Sequence, residues 1–517
     1  ISEAPAWALL HQLKEIAPAL AHYRFRAACG LKPCPSNTIF QKWATANQGQ
    51  FKPVVDFNFQ NQPFQQLDLS IGSLDLGHNK NFETNTAFNQ KIENLLQGKP
   101  GVGGYGEVRP FYSTDSYVTE SDNGPQWRTM HLGIDIWMPA GTVVYAPCEG
   151  VVHSIQDNAG ERDYGPTIIL RHQPKPDLTF YTLYGHLSRS TLGELQLGQT
   201  IHAGTSFATI GSAPENGNWP PHLHLQILLD TLNLKGDFPG AAFYNQSALW
   251  KSICPDPNLL LKIPLSKTEK SSLIDLSKIR REKLGTSLSL SYTEPLYIER
   301  AYKQYLYDHT GRRFLDTVNN VPHVGHQYER VVQAASTQMA LLNTNTRYLH
   351  KSILTFAKEL LATFPPELCV VHFVNSGSEA NELALRMTKT YSGEEDMVVL
   401  EAGYHGNTNA CIEMSSYKFE SKGGVGLSPH VEMAIAPDVY RGPYKSDDPN
   451  AGEKYAELVQ QAIDRTHAKG RNIAGFIHES ILSCGGQLVL PKGYLRSAYA
   501  AIRKAGGVNI ADEVQVG

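Results

Sequence analysis

Between residues 105 and 253 the chain runs through short alternating apolar and polar stretches, GTVVYAP, GVVHSI, TIILRH, TFYTLYGHL and HLHLQIL, separated by Gly, Pro and Asn. Alternation over four to eight positions fits half-buried strands, and the turn residues between them predict a compact all-β domain. Helical spacing is absent there. Ahead of it, residues 6–28 place Leu9, Leu13, Ile16, Leu20 and Phe25 at helical intervals, with Pro18 ending or kinking a first helix. The stretch DFNFQNQPFQQLDLSIG is poor in charge and predicts a connection or irregular strands. Residues 263–285 are rich in charge, with Leu273, Leu276 and Ile279 on one face, which suits a linker running into a surface helix. Beyond it CVVHFVNSG, DMVVLEAG, IAGFIHES and VNIADE alternate with SEANELALRMTKTY, AELVQQAIDRTHAKG and LRSAYAAIRKAGG, the order of a parallel α/β sheet. Val508–Ala511 reads as a buried strand that delivers Asp512 and Glu513 to its carboxyl end, the edge at which open α/β sheets bind ligands.

The chain has 517 residues, room for roughly three domains at ~150 residues each. Its formal charge of −4 comes without long single-sign runs, so no footprint for nucleic acid is present and a small molecule or peptide is the expected substrate. The 7 cysteines are scattered and lack a C-x-x-C, which argues against a disulfide framework or a thiolate zinc site and for a reducing compartment. No apolar run reaches the ~18 residues of a membrane span, and the start lacks signal-peptide features, so a cytoplasmic location is expected. The sequence opens on Ile1 rather than Met, so the true amino end is expected to lie upstream.

Chemistry enters first through histidines. HLGID sets His131 and Asp135 four apart around Gly133, on one side of the chain if the backbone is extended; HLH does the same for His222 and His224, and YGHL ends a strand in His186. Imidazoles and a carboxylate are zinc ligands, and a catalytic zinc takes three of them while keeping a fourth position for water. Two histidines remain for acid and base work. His153, His172 and His202 read as ordinary core or surface residues. HLGIDI, GTVVYAPCEGVV, YGPTIILRH, LYGHLS and HLHLQI stand in the order found in the lysostaphin-like zinc metallopeptidases, which this stretch of about 105–230 resembles. The resemblance implies zinc on His131, Asp135 and His224, with His186 and His222 polarising water and steadying the oxyanion. APENGNWPP before His222 is longer and richer in Pro than the usual turn, which leaves the choice of substrate open.

A second chemistry follows from CVVHFVNSGSEANELALRM, where an apolar strand is expected to end in Asn375, Ser376, Gly377 and Ser378 at the start of a helix, so that free N–H groups and the positive helix end can hold a phosphate. Tyr404 in AGYHGN offers a ring platform beside glycines, and Asp512 can pair with a protonated pyridine nitrogen. Phosphate cradle, platform and acid together describe pyridoxal phosphate. Residues 280–517 resemble the class III pyridoxal-phosphate enzymes of fold-type I, nearest the ethanolamine-phosphate and phosphohydroxylysine phospho-lyases, on LDTVNNVPHVGH, LLNTNTRYLH, FVNSGSEANELALR, YHGN, YKFE, IHESILSCGGQ and NIADEVQVG. The resemblance implies that Gly377 and Ser378 bind the cofactor phosphate, Tyr404 stacks on its ring, Asp512 holds the pyridine nitrogen, Gln515 lies near the ring oxygen and Glu479 orients their neighbours. Omega-aminotransferases of the class usually carry Glu-Pro where this chain has Glu479 and Ser480, a departure that favours the phospho-lyase branch. The Schiff-base lysine of such enzymes is expected beyond ADEVQVG, so no lysine here takes that role and the sequence is expected to be part of a larger fused enzyme.

The expected architecture is therefore multidomain: a helical remnant and linker at 1–65, related by resemblance to the tail of a small-molecule kinase; an all-β lysostaphin-like zinc metallopeptidase domain at 66–262; a linker at 263–279; and an incomplete α/β fold-type I pyridoxal-phosphate transferase large domain at 280–517. The expected activity is phospho-lyase-like elimination from an amine or phosphoamine, the alternatives being omega-amino acid transamination, a zinc endopeptidase, or a non-catalytic zinc-binding module. A homodimer through the aminotransferase domain is implied by the resemblance, with neither nucleic acid nor membrane as partner.

Overall fold

The computed structural model describes residues 18–120, 124–266, 272–318 and 323–516 and divides into two compact units, Ile1–Leu341 and Leu342–Gly517. The expected helix over 6–17, the centre of the charged linker, part of LDTVNNVPHVGH and Gly517 lie outside the described residues.

The first unit is organised by an eight-stranded sheet of β1 (Gln65–Leu67), β2 (Gly101–Gly103), β3 (Ile134–Trp137), β4 (Gly150–Asn158), β5 (Gly165–Lys175), β6 (Leu178–Gly185), β7 (Thr200–Ile201) and β8 (His222–Leu228), in the order β1-β2-β3-β8-β6-β5-β4-β7. Only β1 and β2 run parallel. Along β8, His222, His224 and Gln226 alternate with Leu223, Leu225 and Ile227, so two-residue periodicity sends the polar set to one face and the apolar set to the other. All seven residues are buried. The apolar set joins Ile134, Ile136, Ile168 and Leu170 in the cores of this unit.

Short helices flank the sheet, so the unit is dominated by strands rather than built of them alone. Helix α1 (Ala19–Ala28) begins after Pro18, and α2 (Asn37–Ala46) buries Phe40 against Phe180, ring centroids 5.0 Å apart. Burying such a ring stabilises by roughly 1.5–3 kcal/mol, so the described part of the amino-terminal segment shares the core of the β unit instead of trailing from it. Helix α3 (Asn85–Leu96) is capped by Thr84, whose Oγ1 accepts from Ala87 N at 3.2 Å, and lays Phe88 and Ile92 one turn apart on the core. Helix α4 (Leu273–Lys283) is capped by Ser272 and buries none of its residues, as a charged surface helix should.

The compact units part at 341/342 although the class III resemblance starts near 280, because the antiparallel meander of β9 (Ile298–Tyr302), β10 (Tyr305–Asp308) and β11 (Arg313–Leu315) is fastened to the first unit. Arg300 on β9 is buried and donates to the carbonyls of Ile71, Ser73 and Gly77 and to Asn79 Oδ1. A guanidinium with its donors placed in a loop at 71–79 locks the two segments together.

In the second unit, β12 (Asp396–Leu400), β13 (Val431–Ala434), β14 (Ile473–Glu479) and β15 (Val508–Asp512) form a parallel sheet in the order β13-β12-β14-β15. Met397 and Val399 pack with Leu385 of α5 (Gly377–Ser392) in one cluster; Val398 and Leu400 pack with Val459 of α6 (Ala451–Ala468) and Ile502 of α7 (Tyr494–Lys504) in another. Both faces of the sheet are covered, which is why β12 and β14 are buried at every position and largely apolar rather than alternating. Two expectations are corrected. CVVHFVNSG forms no strand: residues 369–375 have no ladder partner among the described residues and leave Val370 74% exposed. Val508–Ala511 is half-buried to exposed rather than buried, because among the described residues β15 is an edge strand paired only with β14.

Candidate functional site

In the first unit, sheet register assembles the histidine cluster. His224 on β8 lies directly across from Asp135 on β3 and, on its other side, from Gly185 on β6, so one rung carries the carboxylate, one imidazole and the residue before His186. His131 does not share a continuous strand with Asp135; the chain bends at Leu132–Gly133 between them. The bend needs glycine, since a Cβ on Gly133 would stand 2.6 Å from the His224 ring and from the Leu225 carbonyl oxygen. The three sequence-predicted ligands therefore converge. His131 Nε2 lies 3.0 Å from His224 Nδ1 and 3.3 Å from Asp135 Oδ1, and His224 Nδ1 lies 3.1 Å from Asp135 Oδ1. Donors ~2.0–2.1 Å from a tetrahedral zinc sit about 3.3 Å from one another, so this triangle has the right edge lengths for the ion.

The remaining nitrogens of these rings are held in place: His131 Nδ1 at 3.2 Å from the Gly104 carbonyl, and His224 Nε2 at 3.0 Å from Gln226 Oε1. Such partners fix the tautomer and aim the other nitrogen at the metal position. His186 and His222 stand beside the triangle with ring centroids 4.2 Å apart. Each fixes its Nδ1 on a backbone carbonyl, Asn216 at 2.9 Å and Pro220 at 2.7 Å. His186 also holds a left-handed φ of 62°, a conformation that costs of order 1 kcal/mol outside glycine. Burial and the nearby Arg109 charge push His131 down to about 4; burial pushes His222 below and His186 well below the ordinary imidazole value. All three are neutral at pH 7, with lone pairs free for a metal or a proton. Burial alone would raise the Asp135 carboxyl, but the donors and charges around it, His131 and Arg109 foremost, hold it well below the usual range.

The cluster lies in a cavity of about 230 Å³ walled by Tyr112, Tyr117, Tyr164, Trp219 and Arg109. Two residues here escaped the sequence reading. Arg109, 3% exposed, donates through Nη1 to Asp135 Oδ2 at 2.6 Å and through Nε to Glu107 Oε2 at 3.0 Å. Neither belongs to a motif, and nothing in the spacing EVRPF or its surroundings marks Glu107 and Arg109; it is the pairing of 107–109 with 129–131, through Val108 opposite Met130, that brings them under the site.

In the second unit, the strand-end acid and the helix start do meet. Asp512 ends β15 opposite Glu479, which ends β14. Asp512 Oδ2 accepts from Asn381 Nδ2 at 2.8 Å and lies 2.9 Å from His405 Nδ1, and its Oδ1 accepts from Val514 N at 3.2 Å. Burial by itself would raise this carboxyl, and the His405 contact holds it below its ordinary value. Asn381 sits one turn beyond Gly377 on α5 and also donates to the His405 carbonyl at 2.9 Å, so it ties the helix start, the 403–407 loop and the acid together. Ser376 caps α5 by accepting from Glu379 N at 3.1 Å. Ser378 Oγ accepts from Asn407 N at 3.2 Å, and Gly406, at a φ of 127°, passes so close that a Cβ would fall 2.5 Å from that oxygen. Glu479 accepts from Tyr404 N at 3.1 Å and from Ser483 Oγ at 2.6 Å. Tyr404 is half-buried with the Lys418 ammonium 5.4 Å from its ring centroid. Gln515 lies exposed in the turn after β15. Buried His405 Nε2 has no hydrogen-bond partner among the described residues. A buried acid backed by an imidazole and an amide, one turn from a helix amino end with free N–H groups, fits the pyridine and phosphate ends of pyridoxal phosphate. Asn381 and His405 were not foreseen, although both lie inside stretches, GSEANELALR and YHGN, that carry the resemblance.

Comparison with known proteins finds two families along the chain. Residues 129–235 match the model of Peptidase family M23, and residues 289–517 match that of Aminotransferase class-III. The alanine--glyoxylate aminotransferase 2-like protein of Drosophila melanogaster is 43% identical over 264 residues, 50% of this chain and 52% of its own. Ethanolamine-phosphate phospho-lyase homolog 1 of Caenorhabditis elegans is 36% identical over 253 residues, 47% of this chain and 54% of its own. A phospholyase from Arthrobacter, solved in complex with phosphoethanolamine, is similar at 36% identity and a TM-score of 0.44, over 47% of this chain and 57% of that one. The chain spans about half the length of the curated relatives it matches. In one polypeptide, a stretch that matches Peptidase family M23 is followed by one that matches Aminotransferase class-III.

Proposed function

We propose that the class III region, taken at 280–517, is the greater part of a pyridoxal-phosphate site that acts on an amine bearing a phosphate, and that the intact protein eliminates phosphate and, with uptake of one water that supplies the carbonyl oxygen, releases ammonia to leave an aldehyde. The observation that carries this reading is the Asp512 carboxylate, buried and braced by His405 and Asn381 one turn from the start of α5. When bound, pyridoxal phosphate supplies an electron sink for a carbon attached through the substrate amine. Asp512 would keep the pyridine nitrogen protonated, and its bond to His405 keeps the carboxylate charged for that purpose. Gly377 and Ser378 would offer N–H donors to the phosphate, Tyr404 would cover the ring, Gln515 would approach the ring oxygen, and Glu479 would hold the Tyr404 backbone through the bond it already makes. Similarity to a phospho-lyase homolog favours elimination over transamination, and an amine with a phosphate on the neighbouring carbon, such as ethanolamine phosphate, as the substrate. The proposed assembly is a homodimer through this region, and the proposed location is the cytoplasm; no helix among the described residues is long and apolar enough to cross a membrane.

The experiment is inorganic phosphate release from ethanolamine phosphate by the intact protein, with and without a keto acid. Release without keto acid, lost in Asp512→Asn, is expected; strict dependence on a keto acid would make it a transaminase.

A second reading is favoured by the triangle of His131, Asp135 and His224, whose donor atoms lie within 4.8 Å of one another. We propose that this region, within 66–262, holds zinc and hydrolyses a peptide. Zinc there supplies a Lewis acid that lowers the pKa of a water to ~7. His186 and His222 would take and return its proton and steady the developing oxyanion, each aimed by its anchored Nδ1. Hydrolysis of a glycyl peptide that His222→Ala abolishes, with zinc retained, is expected of a peptidase; zinc without hydrolysis would leave a zinc-binding module.

A further inference from the structure

The hydrogen bonding of Asp135 divides its two oxygens between different tasks. Oδ1 faces the three rings, at 3.3 Å from His131 Nε2, 3.1 Å from His224 Nδ1 and 3.8 Å from His222 Nε2. Oδ2 is turned away from them and taken by Arg109 Nη1 at 2.6 Å. We propose that Arg109 is a positioning residue of the metal centre: it holds Asp135 so that a single oxygen is presented to the zinc, and Glu107 is present to cancel its charge. The inference rests on the reading of His131, Asp135 and His224 as a zinc site.

Three observations carry it. First, the pair is dry and closely made, with the Arg109 and Asp135 side chains each 3% exposed, so the contact is neither screened nor averaged by solvent. Second, a lone guanidinium so near a divalent cation would repel it, and here the repulsion is offset. Glu107 lies 3.0 Å from Arg109 Nε, so Arg109 and Glu107 together add no net charge and leave Asp135 as the site's one negative ligand. A brace without the counter-charge would weaken metal binding; a brace with it constrains geometry alone. Third, the guanidinium is itself immobilised. Tyr112 Oη accepts from Nη1 at 3.1 Å, and the Phe111 and Tyr112 rings lie 5.8 and 6.0 Å from its carbon. Tyr112 is in turn stacked on Tyr117 at 4.6 Å. Freed from Arg109, the carboxylate could rotate and offer both oxygens, replacing a site with an open fourth position by one more fully occupied by protein. Arg109 and Glu107 both precede residues 129–235, so they are outside the stretch that matches the peptidase family model and are contributed by this chain's own preceding segment.

The test is zinc affinity of the full chain, measured by competition with a chromogenic chelator, together with the visible absorption of the cobalt-substituted protein. Loss of such an outer partner typically lowers metal affinity about 10–100-fold. The charge-neutral double variant Arg109→Met with Glu107→Gln is expected to show that loss and a weaker cobalt band, as coordination rises. Arg109→Lys keeps the charge but not the fork and should recover part of both signals. Should the double variant not fold, Arg109→Lys alone decides, with a weakened affinity and an altered cobalt spectrum expected. A folded variant that binds zinc within twofold of the parent and leaves the cobalt spectrum unchanged overturns the role of Arg109. A folded parent that takes up no zinc overturns the metal centre itself and this inference with it.

Discussion

The zinc-type cluster and the cofactor cleft are built from similar parts, histidines and acidic side chains at strand ends, yet they differ in how closed they are. In the first unit every member of the cluster is under 6% exposed; Asp135, His222 and His224 lie on neighbouring strands of the main sheet, with register placing Asp135 against His224, while His131 enters across the Leu132–Gly133 bend and His186 just after β6. In the second, Asp512, His405 and Glu479 are buried while Ser376 and Gln515 are exposed. One centre is gathered around a single antiparallel pairing, that of β3 with β8. The other draws on a helix start, a loop and two strand ends spread over 376–515, and only its acid end is enclosed. Antiparallel neighbours can finish a site within a short span of chain, whereas a parallel sheet gathers its site from segments separated by whole helices.

The contrast can be broken most forcefully at the two unliganded histidines. His186→Ala should lower peptide hydrolysis by about 10²–10⁴-fold while zinc content stays at the parental level, since a positioned acid or base contributes that much and His186 lies outside the ligand triangle. Equal loss of zinc in the variant would instead make His186 a ligand. Next in size is the cost of removing each acid from the ligand-free protein. Asp135→Ala takes the carboxylate from Arg109 Nη1 while Glu107 still balances the charge and Tyr112 still accepts, and should cost about 3 kcal/mol or slightly more, the upper end for a buried hydrogen bond to a charged group, in the chemical denaturation of the first unit. Asp512→Ala leaves His405 Nδ1 and one Asn381 bond unpaired and should cost the second unit about 1–3 kcal/mol. Equal costs would remove the distinction between a closed and an open centre.

A pH titration sharpens the same point away from either site. Burial pushes His172 down to about 4, and its ring nitrogens meet the Glu149 carbonyl and Thr182 Oγ1 at 2.7 Å each. Unfolded, the ring titrates near 6.5, so between pH 6.5 and 4 the unfolded chain binds the extra proton and stability falls as pH falls. The contribution, on the order of 3 kcal/mol, is whole above pH 6.5, and His172→Gln should flatten the loss across that window. The smallest effect concerns thiols. Cys254, buried and pushed up to about 12 by burial, should resist alkylation at pH 8 while exposed Cys29 and Cys369 react, as peptide mass mapping would record.

Sequence patterning revealed the alternation of β8 and the parallel α/β order of the second unit, because two-residue periodicity and helix starts are local properties, while His131, Asp135 and His224 were singled out by resemblance and do converge in space. It missed what depends on distant pairing. Glu107 and Arg109 acquire meaning only when 107–109 lies beside 129–131, and Asn381 and His405 only when α5 lies over the end of β15. CVVHFVNSG shows the reverse error: its composition suits a strand, but a strand needs a ladder partner, and none of the described residues supplies one. Likewise, Val508–Ala511 is apolar enough for a core strand but takes an edge position, where one flank stays open.

The most direct test of the account is zinc K-edge X-ray absorption on the reconstituted full chain. It predicts one zinc with two imidazole nitrogens and oxygen donors near 2.0–2.1 Å, reduced to one imidazole in His224→Ala. A spectrum of a hydrated ion with no imidazole signature, or one that His224→Ala leaves unchanged, would contradict it.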